Sequence, residues 1–288
     1  MCETAELETW ARNGLTRRQI GVAGASTLAV AACAPMAGAG AGASSEFTER
    51  MVTIPSPAGT IDGEFFHRSR GKAPGVILWP DIAGIRPAKR EMARRLAAAG
   101  YAVLLANPYF RDVAGQQFTD FADFAGNGGW GKVTPWRGRF DAETILADTR
   151  AIAGWLREQD AVDASRGIGA QGYCMTGSFA LIAPAALPEV KAGASFHGGG
   201  LVREDARSPH RMIEAGNRYL IAIARNDDAK APGEKDALRA AAAAARVPAE
   251  IEVYPADHGW CVPDSPSYDR VEADKAWTRL LETYRAAL

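Results

Sequence analysis

Three residue types that can together attack a carbonyl carbon occur along this chain, each at the end of a predicted strand. Cys174 comes first, the neighbouring Asp227 and Asp228 follow, and His258 comes last. A histidine can take the proton of a thiol, and an aspartate can fix the imidazole tautomer and stabilise its cation. The sequence therefore predicts a nucleophilic triad of Cys174, one of the two aspartates and His258.

Cys174 lies on a predicted sharp turn between a strand over 167–171 and a helix of small residues over 178–186. Such a turn projects the side chain above the edge of the sheet, and the N–H of Met175 can then face an oxyanion. The N-terminus of the helix favours a thiolate over a thiol. The alternative is a packed thiol, because a lone cysteine is usually buried as a small hydrophobic residue.

Strands and helices alternate through most of the chain, which predicts a mostly parallel sheet covered by helices on both faces. Loops at the carboxyl ends of such strands share one edge, so the three predicted triad positions can converge. An antiparallel hairpin over 51–54 and 59–66 precedes the parallel strands. The other strands are predicted over 75–79, 101–106, 190–196, 219–223 and 251–254, and the other helices over about 88–99, 141–159, 233–245 and 267–287.

The stretch 107–139 lacks a clear period. Its aromatic residues, interleaved with glycines and polar residues, can either wall a substrate cleft or pin a long loop to the body. They are Tyr109, Phe110, Phe118, Phe121, Phe124, Trp130 and Trp136.

The motif Gly172-Tyr173-Cys174-Met175-Thr176-Gly177, the aspartates after 219–223 and the motif Asp257-His258-Gly259 resemble those of the dienelactone hydrolase family (carboxymethylenebutenolidases). The resemblance covers the chain from about Met51 onward. It implies an α/β-hydrolase fold and a Cys-Asp-His triad that cleaves a small ester or lactone with neither a metal nor an organic cofactor.

The resemblance also implies roles for residues outside the triad. Asp81 matches an acidic residue that interacts with the resting cysteine, and the N–H of Ile82 joins that of Met175 in the oxyanion hole. The alternative for Asp81 is an N-cap of the following helix. The expected substrate-binding residues are Tyr109, Arg111 and Trp260, although Arg111 is equally well explained as a surface residue.

Asp227 is the predicted triad acid, and Asp228 is the alternative. The family pattern Gly-x-x-Asp favours Asp227, whereas the spacing from Pro232 favours Asp228. The chain also departs from the family at three positions: Asp81 replaces Glu, Thr176 replaces Gly, and Val262 replaces an arginine that binds the substrate's carboxylate. The loss of that arginine leaves the substrate undetermined.

The composition restricts the class of partner. The chain has 288 residues, 47% of them hydrophobic, and a formal net charge of −1. It has no basic surplus with which to neutralise phosphates, so we expect a small-molecule substrate and no nucleic acid. We predict a single α/β-hydrolase domain over 49–288, either as a monomer or as a small homo-oligomer.

The N-terminus predicts export. Arg17 and Arg18 precede an apolar run over 21–32 that is too short to span a bilayer, which is typical of a twin-arginine signal over 1–36. An ordinary amphipathic helix is the alternative. Cys33 resembles the lipidated residue of a lipoprotein, and cleavage within 37–44 is an equal candidate. An Ala/Gly/Ser linker over 37–48 then leads to a body that we expect in the periplasm.

Two other functions are compatible with the sequence. A thiol redox protein would pair Cys174 with Cys261, which lies three residues after His258. A binding protein would keep the hydrolase fold without turnover. The remaining histidines, His67, His197 and His210, lack a partner pattern and are predicted to be structural or solvent-facing.

Overall fold

The computed structural model describes residues 46–288. The predicted export signal, Cys33 and most of the predicted linker lie outside the described residues. The last two residues of that linker, Phe47 and Thr48, belong instead to the first strand, where they pair with Arg68 and His67. Within 46–288, no helix combines the length and apolarity needed to cross a membrane.

The described part of the chain is organised around an eight-stranded sheet with the order β1-β2-β4-β3-β5-β6-β7-β8. The pairings β1/β2 and β2/β4 are antiparallel and the others are parallel. The strands are β1 (Phe47–Ser56), β2 (Gly59–Arg68), β3 (Gly75–Trp79), β4 (Ala102–Ala106), β5 (Ile168–Tyr173), β6 (Val190–Phe196), β7 (Arg218–Ala224) and β8 (Ala249–Tyr254).

Helices cover both faces of this sheet. They are α1 (Pro87–Ala98), α2 (Phe121–Gly126), α3 (Gly129–Arg137), α4 (Ala142–Arg157), α5 (Gly177–Ile182), α6 (Arg225–Lys230), α7 (Glu234–Ala245) and α8 (Arg270–Ala287), with short 3₁₀ turns at Cys174–Thr176, Ala183–Ala185 and Pro209–Met212. The predicted α/β-hydrolase architecture is confirmed.

Strand β3 shows why its apolar run is continuous. Val76 and Leu78 pack into the core on one face of the sheet, and Ile77 and Trp79 pack into the core on the other. Successive side chains of a strand point to opposite faces, so a strand covered on both sides needs an apolar residue at every position.

The predicted irregular stretch 107–139 contains α2 and α3, which the sequence did not predict. Phe124 makes edge-to-face or tilted contacts with Phe118, Phe121 and Trp130. Side-chain packing thus holds together two short helices whose own period is weak, and Pro135 lies inside α3. Helix α5 is shorter than predicted because the chain tightens into a 3₁₀ turn containing Pro184.

Candidate active site

Cys174 occupies a tight turn at the carboxyl end of β5. Its φ angle is +55°, a left-handed conformation that costs a non-glycine residue about 1–2 kcal/mol. The turn also demands glycine on both sides. A Cβ on Gly172 would lie 2.0 Å from the Thr176 carbonyl oxygen, and one on Gly177 would lie 2.4 Å from the Cα of Gly198. The motif Gly-x-Cys-x-x-Gly is therefore a steric requirement of this turn.

Thr176 ties the turn to the end of β3. Its buried hydroxyl accepts a hydrogen bond from the Tyr173 N–H at 3.0 Å and lies 2.9 Å from the Pro80 carbonyl oxygen, to which it can donate. The residue that departs from the family pattern thus connects the Cys174 turn with the segment that carries Ile82.

His258 is held at the end of β8 by two residues from the start of α6. Its Nδ1 lies 2.7 Å from Asp227 Oδ2, and its backbone N–H donates to Asn226 Oδ1 at 2.8 Å. The carboxylate of Asp228 points elsewhere and pairs with Lys235 Nζ at 2.6 Å. The structure therefore brings Asp227, and not Asp228, to the imidazole. Asn226 is a supporting residue that the sequence analysis did not single out.

Asp81 has partners that the sequence analysis did not anticipate. Arg86 contacts both of its carboxylate oxygens, at 2.8 and 2.9 Å, and Lys89 Nζ lies 2.9 Å from Oδ2. Asp81 Oδ1 also accepts the Ala83 N–H at 3.0 Å. The N-cap of α1 is Arg86, so the alternative of an Asp81 cap is wrong.

All three of these charged residues are buried. Burial opposes the charge of Asp81, but Arg86 and Lys89 outweigh this effect and hold the pKa of Asp81 well below its usual range. Burial lowers the pKa of Lys89, and the charge of Asp81 opposes that shift. Asp81 is therefore a permanent carboxylate beside the site.

The two predicted oxyanion residues meet beside Cys174. Ile82, Met175 and Cys174 line one cavity of about 440 Å³. Tyr109 is buried, and its hydroxyl donates to the Ile82 carbonyl oxygen at 2.7 Å and lies 3.6 Å from Met175 Sδ. Tyr109 thus contacts both residues predicted for the oxyanion hole, and it lines neither of the two cavities at Cys174.

The large cavity is mostly apolar, and its wall carries two cations, Arg137 and Arg203, and one carboxylate, Asp141, which caps α4 by accepting the Thr144 N–H. Its apolar lining includes Ile82, Phe140, Ile145 and Phe179. Arg203 pairs with Asp205 at 2.8 Å. Arg137 is half-buried, and its guanidinium forms neither a hydrogen bond nor an ion pair with any residue in 46–288. A cavity of this size and character suits a small organic molecule.

Two residues that were predicted to bind substrate have other partners in the structure. Arg111 forms a two-pronged ion pair with Asp148 at 2.8 and 2.7 Å. Trp260 is fully buried, stacks on Tyr254 at 5.1 Å between ring centroids, and packs against His197 at 5.3 Å. Neither residue lines a cavity at Cys174: Arg111 is paired with a carboxylate, and Trp260 is a core residue.

His197 is a site residue that the sequence analysis assigned to structure or solvent. Its ring lies 4.6 Å from that of His258, centroid to centroid, and its Nδ1 accepts the N–H of Cys174 at 3.1 Å. A possible signal was its position at the end of β6, because β6 pairs directly with the strand that ends at Cys174.

Cys174 and Cys261 do not form a disulfide. Cys174 lines the large cavity, whereas Cys261 lines a separate cavity together with Tyr173. Burial raises the pKa of Cys261 to about 12. A thiol that stays protonated is a poor partner for disulfide exchange, so this arrangement does not favour the redox interpretation. Within 46–288, no cluster of three or more His, Cys, Asp or Glu side chains is arranged to hold a metal ion.

Comparison with solved structures supports the fold. A structure described as "Putative Dienelactone Hydrolase" from Klebsiella pneumoniae subsp. pneumoniae MGH 78578 superimposes with a TM-score of 0.69 at 23% identity, covering 83% of this chain and 98% of that one. A dienelactone hydrolase-like promiscuous phosphotriesterase, P91, from metagenomic libraries gives a TM-score of 0.66 at 24% identity, covering 84% and 99%.

Sequence comparison identifies the family. The protein named "Putative carboxymethylenebutenolidase" of Escherichia coli (strain K12) is 29% identical over 223 residues, which are 76% of this chain and 79% of that protein. The model of the dienelactone hydrolase family matches residues 61–288, from strand β2 to the last residue. This match includes the Cys174 turn, Asp227 and His258, and the chain belongs to the dienelactone hydrolase family of ester and lactone hydrolases.

Proposed function

We propose that this enzyme hydrolyses small esters or lactones through a thioester on Cys174. The observation that carries the proposal is the His258–Asp227 contact of 2.7 Å beside a cavity that Cys174 also lines. With Nδ1–H donated to Asp227, Nε2 is the basic nitrogen of the imidazole. A base fixed in this tautomer, next to a cysteine on a strained turn, is the arrangement that nucleophilic catalysis requires.

The first half of the reaction forms the acyl-enzyme. His258 takes the thiol proton, Cys174 Sγ attacks the carbonyl carbon, and the carbonyl electron pair moves to oxygen. The N–H groups of Met175 and Ile82 stabilise that oxyanion. When the tetrahedral intermediate collapses, the C–O bond breaks and the imidazolium protonates the leaving alkoxide. In a lactone that alkoxide stays attached to the acyl group.

The second half regenerates the thiol. Water loses a proton to His258 and attacks the thioester carbon, the C–S bond breaks, and the proton passes to Cys174. Asp227 stabilises the imidazolium in both halves. Asp81 tunes the resting cysteine in this scheme through its permanent negative charge, since it lines the same small cavity as Cys174.

The large cavity limits the substrate class. Its apolar walls suit a compact acyl group, and the guanidinium of Arg137 offers a charge partner for an anionic substituent. We propose small esters and lactones, with a preference for those that carry a carboxylate. Arg137 would then supply a cation that the chain lacks at Val262.

We also propose that the enzyme is exported through the twin-arginine pathway. Arg17 and Arg18 and the apolar run after them support this proposal, and they lie outside the described residues. Cys33 as a lipid attachment site and cleavage within 37–44 remain the two proposals for the mature N-terminus. Mass spectrometry of the protein purified from periplasm separates them.

The test of the proposed function is the turnover of a chromogenic short-chain ester and of a small lactone by Cys174→Ala. We expect kcat/KM to fall by about 10³-fold or more, because the nucleophile is lost. Cys261→Ala is the matched control and should retain wild-type turnover, since it lines a different cavity. Unchanged turnover in a folded Cys174→Ala variant would contradict the proposal.

A further inference from the structure

A short segment after β6 lies against the backbone of the nucleophile. Residues 197–199 follow β6, which pairs with the strand that ends just before Cys174. The two turns approach where Gly177 meets Gly198. A Cβ on Gly198 would lie 2.3 Å from Ser195 Oγ and 3.2 Å from the Cα of Gly177. Glycine at both positions therefore lets the two backbones come into contact.

Both backbone polar groups of Cys174 bond to segment 197–199. The N–H of Cys174 donates to His197 Nδ1 at 3.1 Å, and the carbonyl oxygen of Cys174 accepts the N–H of Gly199 at 3.1 Å. These two groups belong to the planar peptide units before and after Cys174. The orientations of those planes about the Cα atom define φ and ψ, so the segment fixes both torsion angles of the nucleophile.

The torsion angles held in this way are strained. Cys174 has a φ angle of +55° and His197 one of +39°, and both are left-handed. Among residues 46–288, the one other non-glycine residue with a positive φ is Arg246, which ends helix α7. Such conformations persist where the surrounding structure holds them, and they concentrate at functional sites. Here two strained residues are joined by a hydrogen bond.

The rest of the fold holds His197 in place. Its backbone N–H donates to the Ala222 carbonyl oxygen on β7 at 2.8 Å, and its ring packs against those of His258 and Trp260. Burial lowers the pKa of His197 well below 6.5. The imidazole is therefore neutral, and its Nδ1 is available to accept the N–H of Cys174.

The bond from Gly199 also directs a predicted oxyanion donor. The carbonyl of Cys174 and the N–H of Met175 belong to one trans peptide unit, in which C=O and N–H point in opposite directions. Holding the carbonyl oxygen toward Gly199 therefore turns the Met175 N–H away from Gly199. Met175 and Cys174 line the large cavity together, so the orientation of this peptide decides whether its N–H can meet an oxyanion.

We propose that segment 197–199 is a clamp that holds Cys174 in its left-handed conformation and aims the Met175 N–H at the oxyanion, with His197 as its positioning residue. The proposal rests on the proposed thioester mechanism. His197 acts through the backbone of Cys174 and takes no proton in the reaction. Without its acceptor, the peptide before Cys174 is free to rotate and the turn can relax toward the right-handed region.

Two substitutions of similar size test the acceptor on His197. His197→Asn keeps an oxygen that can accept the N–H of Cys174, whereas His197→Leu has no acceptor. Acetylation by p-nitrophenyl acetate is followed by rapid quench and intact mass. Alkylation by iodoacetamide is followed at the same pH, with peptide mapping to assign it to Cys174. Alkylation needs the thiolate but forms no oxyanion, so the ratio of the two rates reports on the oxyanion donors.

We expect His197→Leu to lower the ratio of acetylation to alkylation by about tenfold or more, since outright loss of an oxyanion donor costs about 10²–10³-fold. His197→Asn should recover most of that loss. His210→Leu is the matched control, because His210 Nδ1 bonds to Ser208 Oγ and its ring lines neither cavity at Cys174. This control should keep the wild-type ratio.

A purely structural role for His197 predicts an unchanged ratio in His197→Leu, because the oxyanion donors of the folded molecules would be unaltered. That result, or an equally low ratio in His197→Leu and His197→Asn, would overturn the clamp while leaving the thioester mechanism intact. Absence of any acetyl-enzyme on Cys174 in the wild type would instead overturn the proposed function. Urea unfolding shows that the compared variants are folded, and it measures separately how well each residue tolerates the left-handed conformation.

Discussion

Two neighbouring aspartates at the start of α6 have different partners. Asp227 contacts the imidazole of His258, whereas Asp228 forms an ion pair with Lys235 on α7. The sequence favoured Asp227 through the pattern Gly-x-x-Asp, but Asp228 stayed an alternative because both residues follow the same strand. The choice depends on the short helix Arg225–Lys230, whose first turn directs one carboxylate to each side.

Asp227→Asn is expected to lower kcat/KM for a small ester by about 10²–10⁴-fold, because an amide can hold His258 in the wrong tautomer and does not stabilise its cation. Asp228→Asn removes the same charge one residue away and should leave kcat/KM within about threefold of wild type. Steady-state kinetics on both variants tests this prediction. A larger loss in Asp228→Asn would contradict the assignment.

Two residues that the sequence suggested for substrate binding have other partners in the structure. Arg111 was expected at the substrate, but Asp148, 37 positions further on, binds its guanidinium. Trp260 was also expected at the substrate, and its ring is buried in the core. Cys174, Asp227 and His258 were predicted to converge because strand ends in a parallel sheet share an edge, a property that the order of elements already determines.

At the scale of elements, the site depends on the ends of β3 and β5 staying in register. β3 carries Asp81 and Ile82 beyond its end, β5 carries Cys174 beyond its end, and the two strands are paired neighbours. The buried hydroxyl of Thr176 connects the two ends. The family pattern has Gly at this position, so this connection was not expected.

Thr176→Val should destabilise the protein by about 1–3 kcal/mol, because the Tyr173 N–H loses its buried acceptor while the side chain keeps nearly the same shape. Thr176→Ser retains the hydroxyl and should cost clearly less. Urea unfolding measures both variants. Equal stability of the valine and serine variants would show that the hydroxyl does not hold the turn.

The most regular elements were predicted within a few residues, including β3, β6, α1 and α4. In these elements apolar residues recur at a regular spacing, because the fold buries one face or both faces of each element. Helices α2 and α3 were not predicted, because their stability comes from aromatic contacts across the segment. The aromatic cluster around Phe124 pins the segment to the body, and α3 ends at the cavity with Arg137.

Arg137→Gln should raise KM for an ester with a carboxylate on its acyl chain by about tenfold, equivalent to about 1.4 kcal/mol, and leave kcat nearly unchanged. KM for the neutral isostere should change little. Arg139→Gln is the matched control, because Arg139 pairs with Asp112 on the surface. An equal rise in KM for both esters would contradict a charge-based role of Arg137.

Across the whole molecule, buried and half-buried charges join three separate parts of the chain. Arg86 bridges Asp81 at the end of β3 and Asp264 in the loop after His258, and Asp264 also accepts the N–H of Phe121 at the start of α2. The segment after β3, the loop after His258 and the aromatic segment 107–139 are therefore held by one connected set of charges. Removing one member of such a set leaves the others buried without compensation.

Asp81→Asn should lower the free energy of unfolding at pH 7 by about 3–5 kcal/mol, because Arg86 and Lys89 lose a counter-charge in the interior. Glu49→Gln, which breaks an exposed pair with Arg94, is the control and should cost at most about 1 kcal/mol. Urea unfolding of the two variants compares them. A cost for Asp81→Asn no larger than that for Glu49→Gln would contradict this account.

The ion pairs of Asp81 with Arg86 and Lys89 also predict how stability depends on pH. The folded-state pKa of Asp81 lies below the ordinary 3.8 of the unfolded chain. Its contribution is therefore complete above about pH 4 and is lost as the pH falls toward the folded-state value. The stability difference between wild type and Asp81→Asn should accordingly shrink below about pH 4. A stability difference that stays constant down to pH 3 would contradict the predicted direction of the pH dependence.

The central claim is that Cys174 carries the acyl group during turnover. The most direct measurement is the intact mass of the enzyme quenched during turnover of an activated ester, followed by peptide mapping. We expect one acyl adduct, on the peptide that contains Cys174, which forms and decays at rates consistent with kcat and is missing in Cys174→Ala. Turnover with no adduct on Cys174 at any quench time, or an adduct on Cys261 instead, would contradict the claim.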